Sequence, residues 1–168
     1  RATSGALNAV KESLQRSGST IDVAIAGGET VSDLLVQMKE KALAASDASL
    51  DAASRTALNE DFISLRDQIG KAVKNATFNG INMLDGTQVG GAVTIAALAD
   101  DSGTSKLTVQ AQDMSLGGTI LSTNLTATSS IGTQTDAAQM IGFIGTAIAN
   151  VSTALSKLGT GSKSVSSH

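Results

Sequence analysis

A chain of 168 residues is long enough for one domain with its own core. Hydrophobic residues make up 41% of it and aromatic residues only 2%, so the apolar mass is Ala, Val, Ile and Leu, which suits narrow helical seams better than a bulky centre. A net charge of −3 with scattered basic residues disfavours a nucleic-acid partner, and the absence of Cys excludes disulfides and thiolate metal sites.

The first segment, residues 1–45, carries small or apolar residues in a seven-residue repeat that includes Val10, Leu14, Ile21, Ala24, Gly28, Val31, Leu35, Met38 and Ala42. Alternating steps of three and four over several heptads predict one long helix with a coiled-coil-like seam, roughly 60 Å in length. Gly27 and Gly28 are its weak points, each costing up to about 1 kcal/mol against Ala, and a bend or local loosening is expected there. Residues 46–54 read as a connection, with Asp51 or Ser54 available as an N-cap. The second helix is placed at 54–78 on Leu58, Phe62, Leu65, Ile69, Ala72 and Ala76. Its end is placed at Asn79-Gly80, where Gly can adopt the left-handed conformation. The short link makes the two helices an antiparallel hairpin.

Between 87 and 133 the pattern changes to Gly, Ser and Thr with alternating apolar residues. Val93 and Ile95 on one run and Leu107 and Val109 on the next, separated by Asp100-Asp101-Ser102-Gly103, predict a β-hairpin. Residues 115–133 have few large apolar groups and are expected to be short strand and mobile loop. The helical repeat returns at 136–158 with Ile141, Ile144, Ile148, Val151, Leu155 and Leu158, capped by Asp136 or Thr135. A Gly/Ser-rich tail over 160–168 is expected to fray. The fold class that follows is α+β, mainly α: one rod domain, a long antiparallel coiled-coil-like three-helix rod with a small β-hairpin region at one end.

Catalytic chemistry has little to work with. The single His is His168, the last residue, which reads as a solvated end and not as a triad member or metal ligand. Gly159-Thr160-Gly161-Ser162-Lys163-Ser164 resembles a phosphate loop in part, but it lacks the adjacent Gly-Lys and follows a helix. Asp100 and Asp101 lack the alternating ligands and closing Glu of a calcium loop. Asn75, Asn124 and Asn150 begin N-glycosylation triplets, two of them inside predicted helices, a frequency near chance in a Ser/Thr-rich chain. No cofactor is implied. No run of about 20 apolar residues is expected to span a bilayer, and the opening residues do not form a signal peptide. A chain opening on Arg1 reads as a fragment of a longer protein.

Two motifs point further. Leu35-Val36-Gln37-Met38-Lys39-Glu40-Lys41-Ala42-Leu43-Ala44-Ala45 resembles the flagellin stretch that runs Leu, a basic or polar pair, Met, Arg, Glu, Leu, Ala. About thirty residues on, Asn75-Ala76-Thr77-Phe78-Asn79-Gly80-Ile81-Asn82-Met83-Leu84-Asp85-Gly86 resembles that family's Thr-x-Phe-Asn-Gly motif and its following Leu-x-Gly. The stretch 4–86 is similar to the short flagellins of alphaproteobacteria such as Caulobacter, and Phe78, Asn79 and Gly80 carry the family motif.

The resemblance implies a non-enzymatic, extracellular subunit of the bacterial flagellar filament, here the core rod without the terminal helices that line the inner channel. It implies a homopolymer with other flagellin subunits, with the export apparatus and filament cap as further partners, and no membrane insertion. Without the terminal helices the fragment is expected to stay monomeric. Candidate interface positions are Gln37, Lys39, Glu40, Arg66, Asp67 and Gln68, whereas Leu35, Phe62, Ile69 and Phe78 read as core. Gln37 and Gln68 stand where flagellins sensed by the flagellin-binding Toll-like receptor carry Arg and Glu, which implies weak or no recognition. Ser122, Thr123, Thr126, Thr128, Ser129 and Ser130 are candidates for O-glycosylation. The alternatives are a hook-filament junction or filament-cap protein and, from another class, a glycan-binding or enzymatic protein, which would need a concave site with aromatic or titratable residues.

Overall fold

The computed structural model describes residues 2–78, 80–87, 92–95 and 107–166. Three helices dominate: α1 (Ala2–Ala45), α2 (Ala52–Asn75) and α3 (Gln134–Ser166). Two antiparallel two-stranded ribbons lie between α2 and α3 in the chain, β1 (Thr77–Phe78) with β2 (Ile81–Asn82) and β3 (Ala92–Ile95) with β4 (Leu107–Gln110). The sequence-predicted hairpin pairs as its alternation requires, Val93 opposite Val109 and Ile95 opposite Leu107. Its connecting turn, with Asp100 and Asp101, lies outside the described residues, as do Asn79 and His168.

α1 is the axis of the rod. Its heptad positions Ile21, Ala24, Val31, Leu35, Met38, Ala42 and Ala45 are buried, and α2 and α3 both pack along it. From α2 come Phe62, Leu65, Ile69 and Val73, and from α3 Ala137, Met140, Ile144, Ala147, Val151 and Leu158. By length and composition α3 over Gln134–Lys163 is apolar enough to cross a membrane, contrary to the expectation that no such run exists. Of the 18-residue apolar window in that span 28% is buried; Met140, Ile144, Ala147 and Val151 of the span lie in the core, and Ile141, Phe143 and Ile148 are partly buried.

The helix α1 runs unbroken through Gly27 and Gly28. The two glycines allow close approach. A Cβ on Gly27 would stand 2.9 Å from the Ala76 Cβ and 3.0 Å from Leu84 Cδ1. One on Gly28 would stand 2.6 Å from Leu155 Cδ2 and 3.1 Å from the Met114 methyl. The helix-propensity penalty is offset by packing that any side chain would prevent.

α2 starts earlier than expected because Asp51 is the N-cap, its carboxylate accepting from Ser54 N at 3.2 Å. These local hydrogen bonds hold the Asp51 carboxyl below the usual carboxylate range. α2 also ends earlier, at Asn75 and not at 78, because Thr77 and Phe78 peel off into β1. Gly80 does take a positive φ of 77°, but it does so in the turn between β1 and β2 and not as the helix cap. The C-cap residue is Ala76, and the side chain that closes the helix end is that of Asn82, which is buried. Its Nδ2 donates to the carbonyls of Val73 at 2.7 Å and Lys74 at 3.1 Å, while its Oδ1 accepts from Leu84 N and Asp85 N at 2.8 and 2.9 Å. One side chain thus satisfies the loose end of α2 and folds the chain back under it.

Residues 115–133, expected to be short strand and mobile loop, form no strand. Met114, Leu121, Leu125 and Ile131 are buried and plug this stretch into the core. Met114 N donates to Leu84 O at 2.8 Å and Gln112 N to Met83 O at 2.9 Å. α3 then continues to Ser166 past the predicted end at 158, so the Gly159 to Ser164 motif is helical and forms no phosphate loop. Gly161 meets β4, where an added Cβ would stand 2.7 Å from Val109 Cγ1.

The glycines separate two effects that substitution usually mixes. Gly27→Ala is expected to lower stability by roughly 1 kcal/mol despite its better helix propensity, because overpacking against fixed Ala76 outweighs the gain. Gly142→Ala, at a helical site with nothing within 4 Å, is expected to raise it by roughly 0.5–1 kcal/mol. Thermal unfolding reads the difference as shifts of a few degrees in opposite directions, and equal upward shifts would show that the approach at Gly27 is not tight. Asn82→Leu is expected to cost about 3 kcal/mol in urea unfolding, since it strands buried donors and acceptors at once. A loss under about 0.5 kcal/mol would remove Asn82 as the side chain that closes α2.

Candidate functional site

The exposed faces of α1 and α2 carry the candidate interface positions, and the structure divides these into two kinds. On α1 the heptad turns Leu35, Met38 and Ala42 inward and leaves Gln37 and Glu40 exposed. Lys39 is half-buried, its Nζ 3.8 Å from where a Cβ on Gly145 of α3 would stand. Lys41 pairs with Asp61 of α2 at 3.3 Å, a partly exposed bridge of small energetic weight. Sequence reasoning passed over Val36 and Leu43, which are 45% and 51% exposed although large and apolar. The signal was present, since neither falls on the heptad seam.

On α2, Gln68 is exposed, its Nε2 donating to Ser64 Oγ of the same helix at 3.4 Å. Arg66 is different. Only 13% of its side chain is exposed; the guanidinium donates to Ser129 O at 2.9 Å and holds Asp67 Oδ1 at 3.0 and 3.1 Å. Arg66 is therefore an internal tie between α2 and the loop before α3, and Asp67 orients it. A contact made with a charged donor is stronger than its neutral counterpart, which suits a tie across 63 residues of chain.

Two more side chains do similar work, Asn59, which the sequence did not single out, and Asn150, noted there only as the start of a glycosylation triplet. Asn59 Oδ1 accepts from Ile131 N at 2.8 Å, and Asn150 Nδ2 donates to Ile120 O at 2.9 Å. With Arg66 they fasten residues 120–131 to α2 on one flank and α3 on the other. Of the hydroxyl residues in that stretch, several are engaged in the loop's own turns. Ser129 Oγ accepts from Thr126 N at 2.9 Å and donates to Asn124 O at 3.2 Å, and Thr126 Oγ1 faces Thr128 Oγ1 at 3.1 Å. Ser122 sits at φ 72° with its hydroxyl accepting from Asn124 N at 3.1 Å. Thr123 and Thr128 are exposed, while Ser130 is half-buried beside a shallow polar cleft of about 230 Å3 that Asp136 and Gln139 also line.

Phe78 of the family motif is half-buried in β1, beside Gly80, whose positive φ turns the ribbon back. Among the described residues no group of three His, Cys, Asp or Glu side chains could hold a metal ion, and no buried side-chain polar atom lacks a partner. What the described residues offer is long exposed helix faces.

Comparison with known proteins agrees with that geometry. The profile of the bacterial flagellin N-terminal helical region matches residues 1–89. The chain is 57% identical over 117 residues to flagellin FljM of Caulobacter vibrioides, covering 70% of this chain and 41% of that one. It is 56% identical over 122 residues to flagellin FljK of the same species, covering 73% and 43%. The chain thus matches less than half the length of these relatives. Flagellin A of Rhizobium meliloti is 30% identical over 118 residues, covering 69% of this chain and 29% of that one. The crystal structure of Bacillus cereus flagellin shares the fold with a TM-score of 0.77 at 22% identity, covering 91% of this chain and 84% of that one. With a family profile over more than half of its residues and the same rod in a solved relative, this chain belongs to the bacterial flagellin family.

Proposed function

We propose that this chain is the rod-forming part of a structural subunit of the bacterial flagellar filament, which works outside the cell by polymerising with other flagellin subunits and not by catalysis. The observation that carries this reading is the family match over residues 1–89, the half of the chain that forms the α1–α2 hairpin and its closing ribbon. The fold supports it physically. A slender helical core with small residues along its seam gives a stiff strut whose long sides are free for neighbours. Export through the flagellar channel and addition under a filament cap complete the proposal, and a chain with no Pro and no Cys suits refolding after export, having neither slow prolyl isomerisation nor disulfide chemistry.

The exposed Gln37 and Gln68 also support weak recognition by the flagellin-sensing Toll-like receptor. A neutral amide in place of a charged group gives up roughly 1.5–3 kcal/mol per hydrogen bond.

Electron microscopy of the full-length protein added to sheared filament seeds is expected to show elongation. A folded, helical protein that fails to extend the seeds would instead favour a junction or cap role. In receptor-signalling assays the same full-length protein is expected to be at least tenfold less potent than an enteric flagellin, and an equal response at equal concentration would remove the receptor proposal.

A further inference from the structure

Sulfur enters this chain only as thioether, because it has four Met and no Cys. The fold treats the four differently. Met38, Met83 and Met114 are 0%, 1% and 0% exposed and belong to the core. Met114 shows how closely they are held, its Sδ 3.4 Å and its methyl 3.1 Å from where a Cβ on Gly28 would stand. An oxygen added to that sulfur would need room that a close-packed seam lacks.

Met140 of α3 is placed otherwise. It is 6% exposed, the most open of the four, and it lines the shallow cleft of about 230 Å3 beside residues 128–130. Asp136, Gln139 and Phe143 line the cleft with it, and steps of three and four put them on the same face of α3. Thr128, Ser129 and Ser130 complete the lining. Apart from Met140 and Phe143 these are polar side chains. The Gln139 amide and the Thr128 and Ser130 hydroxyls are donors that an oxygen on sulfur could use.

We propose that Met140 is an oxidation site whose reagent is hydrogen peroxide admitted by the cleft. A sulfur lone pair attacks one peroxide oxygen, the O–O bond breaks and an S–O bond forms. The other oxygen leaves as water with both protons, so sulfur loses the two electrons that the peroxide gains. The product is a polar, chiral sulfoxide in place of a flexible apolar group. It stands where α3 meets the stretch that Arg66 holds through Ser129 O at 2.9 Å. Arg66 and Asn59 keep that stretch on α2 after oxidation, and its packing on α3 loosens.

The full-length protein in monomeric form is treated with hydrogen peroxide at neutral pH, and these four methionines are followed by peptide mass mapping. Met140 is expected to oxidise at least about tenfold faster than Met38, Met83 or Met114, with helicity unchanged, since susceptibility follows exposure. Hydrogen exchange is then expected to quicken over residues 120–131 and not along α2. Thr128→Trp, which puts a bulky side chain at an exposed position on the cleft, is expected to slow Met140 alone. None of these readouts needs filament growth, so they stand apart from the filament reading. Equal rates at all four sites, earlier oxidation of a core methionine, unaltered exchange over 120–131 in the oxidised protein, or an unchanged Met140 rate in folded Thr128→Trp would each overturn the proposal.

Discussion

The close approach of three chain segments to the middle of α1 is the constraint on which the rest of the structure depends. At Gly27 the end of α2 and Leu84 come within a side chain's width of the helix backbone; one residue on, at Gly28, Leu155 of α3 and Met114 do the same. Both flanks of α1 are thus occupied at one level. Here α2 ends and the ribbons begin, so the glycines mark the junction between the helical hairpin and the β region. Dispersion gains fall off steeply with distance, and a seam of Ala, Gly and Val can recover by closeness what it lacks in side-chain volume.

The junction also explains how so few aromatic residues hold a long rod together. Asn82 closes α2 by hydrogen bonds and sends the chain back along α1, where Met83 and Leu84 enter the core. Residues 112–114 lie against Met83 and Leu84 through backbone bonds, and the following loop is fastened to α2 and α3 by Asn59, Arg66 and Asn150. The space beside the helices is therefore filled by irregular chain, and among the described residues no buried side-chain polar atom lacks a partner. Pairing of this kind gives the loop a single arrangement, because any shift would leave a buried amide unsatisfied.

What was legible in the sequence divides along the same line. Elements whose signal is periodic were readable: the heptads of α1, the Leu58 to Ala76 stripe of α2, the alternation of β3 and β4, and the returning helix. Where ends and irregular segments depend on partners far away in sequence, local pattern misled. Gly27 and Gly28 look like weak points until Ala76, Leu84, Met114 and Leu155 are placed beside them. Residues 115–133 look mobile because their anchors, among them Leu121, Leu125 and Ile131, are too widely spaced to show a period. The run after Leu158 looks frayed until Gly161 is seen against Val109. Arg66 is an ordinary surface charge in sequence and an internal tie in the fold, a difference that only the position of Ser129 O decides.

The same logic bears on which surfaces are free for assembly. A charged residue on a helix is a poor guide, because Arg66 and Lys41 both spend their charge inside the subunit. An exposed apolar residue off the heptad seam is more informative, since the fold gains nothing from leaving it in water and no internal partner accounts for it. Val36 and Leu43 meet that description on a helix whose other large apolar residues, from Ile21 to Met38, are wholly or partly buried. Because α1 is also the element to which α2, α3 and the ribbons are all fastened, a load applied at these two side chains would pass directly into the most constrained part of the subunit. A filament built through such contacts would draw its stiffness from the seam around α1, so that the residues that set the fold would also set the mechanics of the polymer.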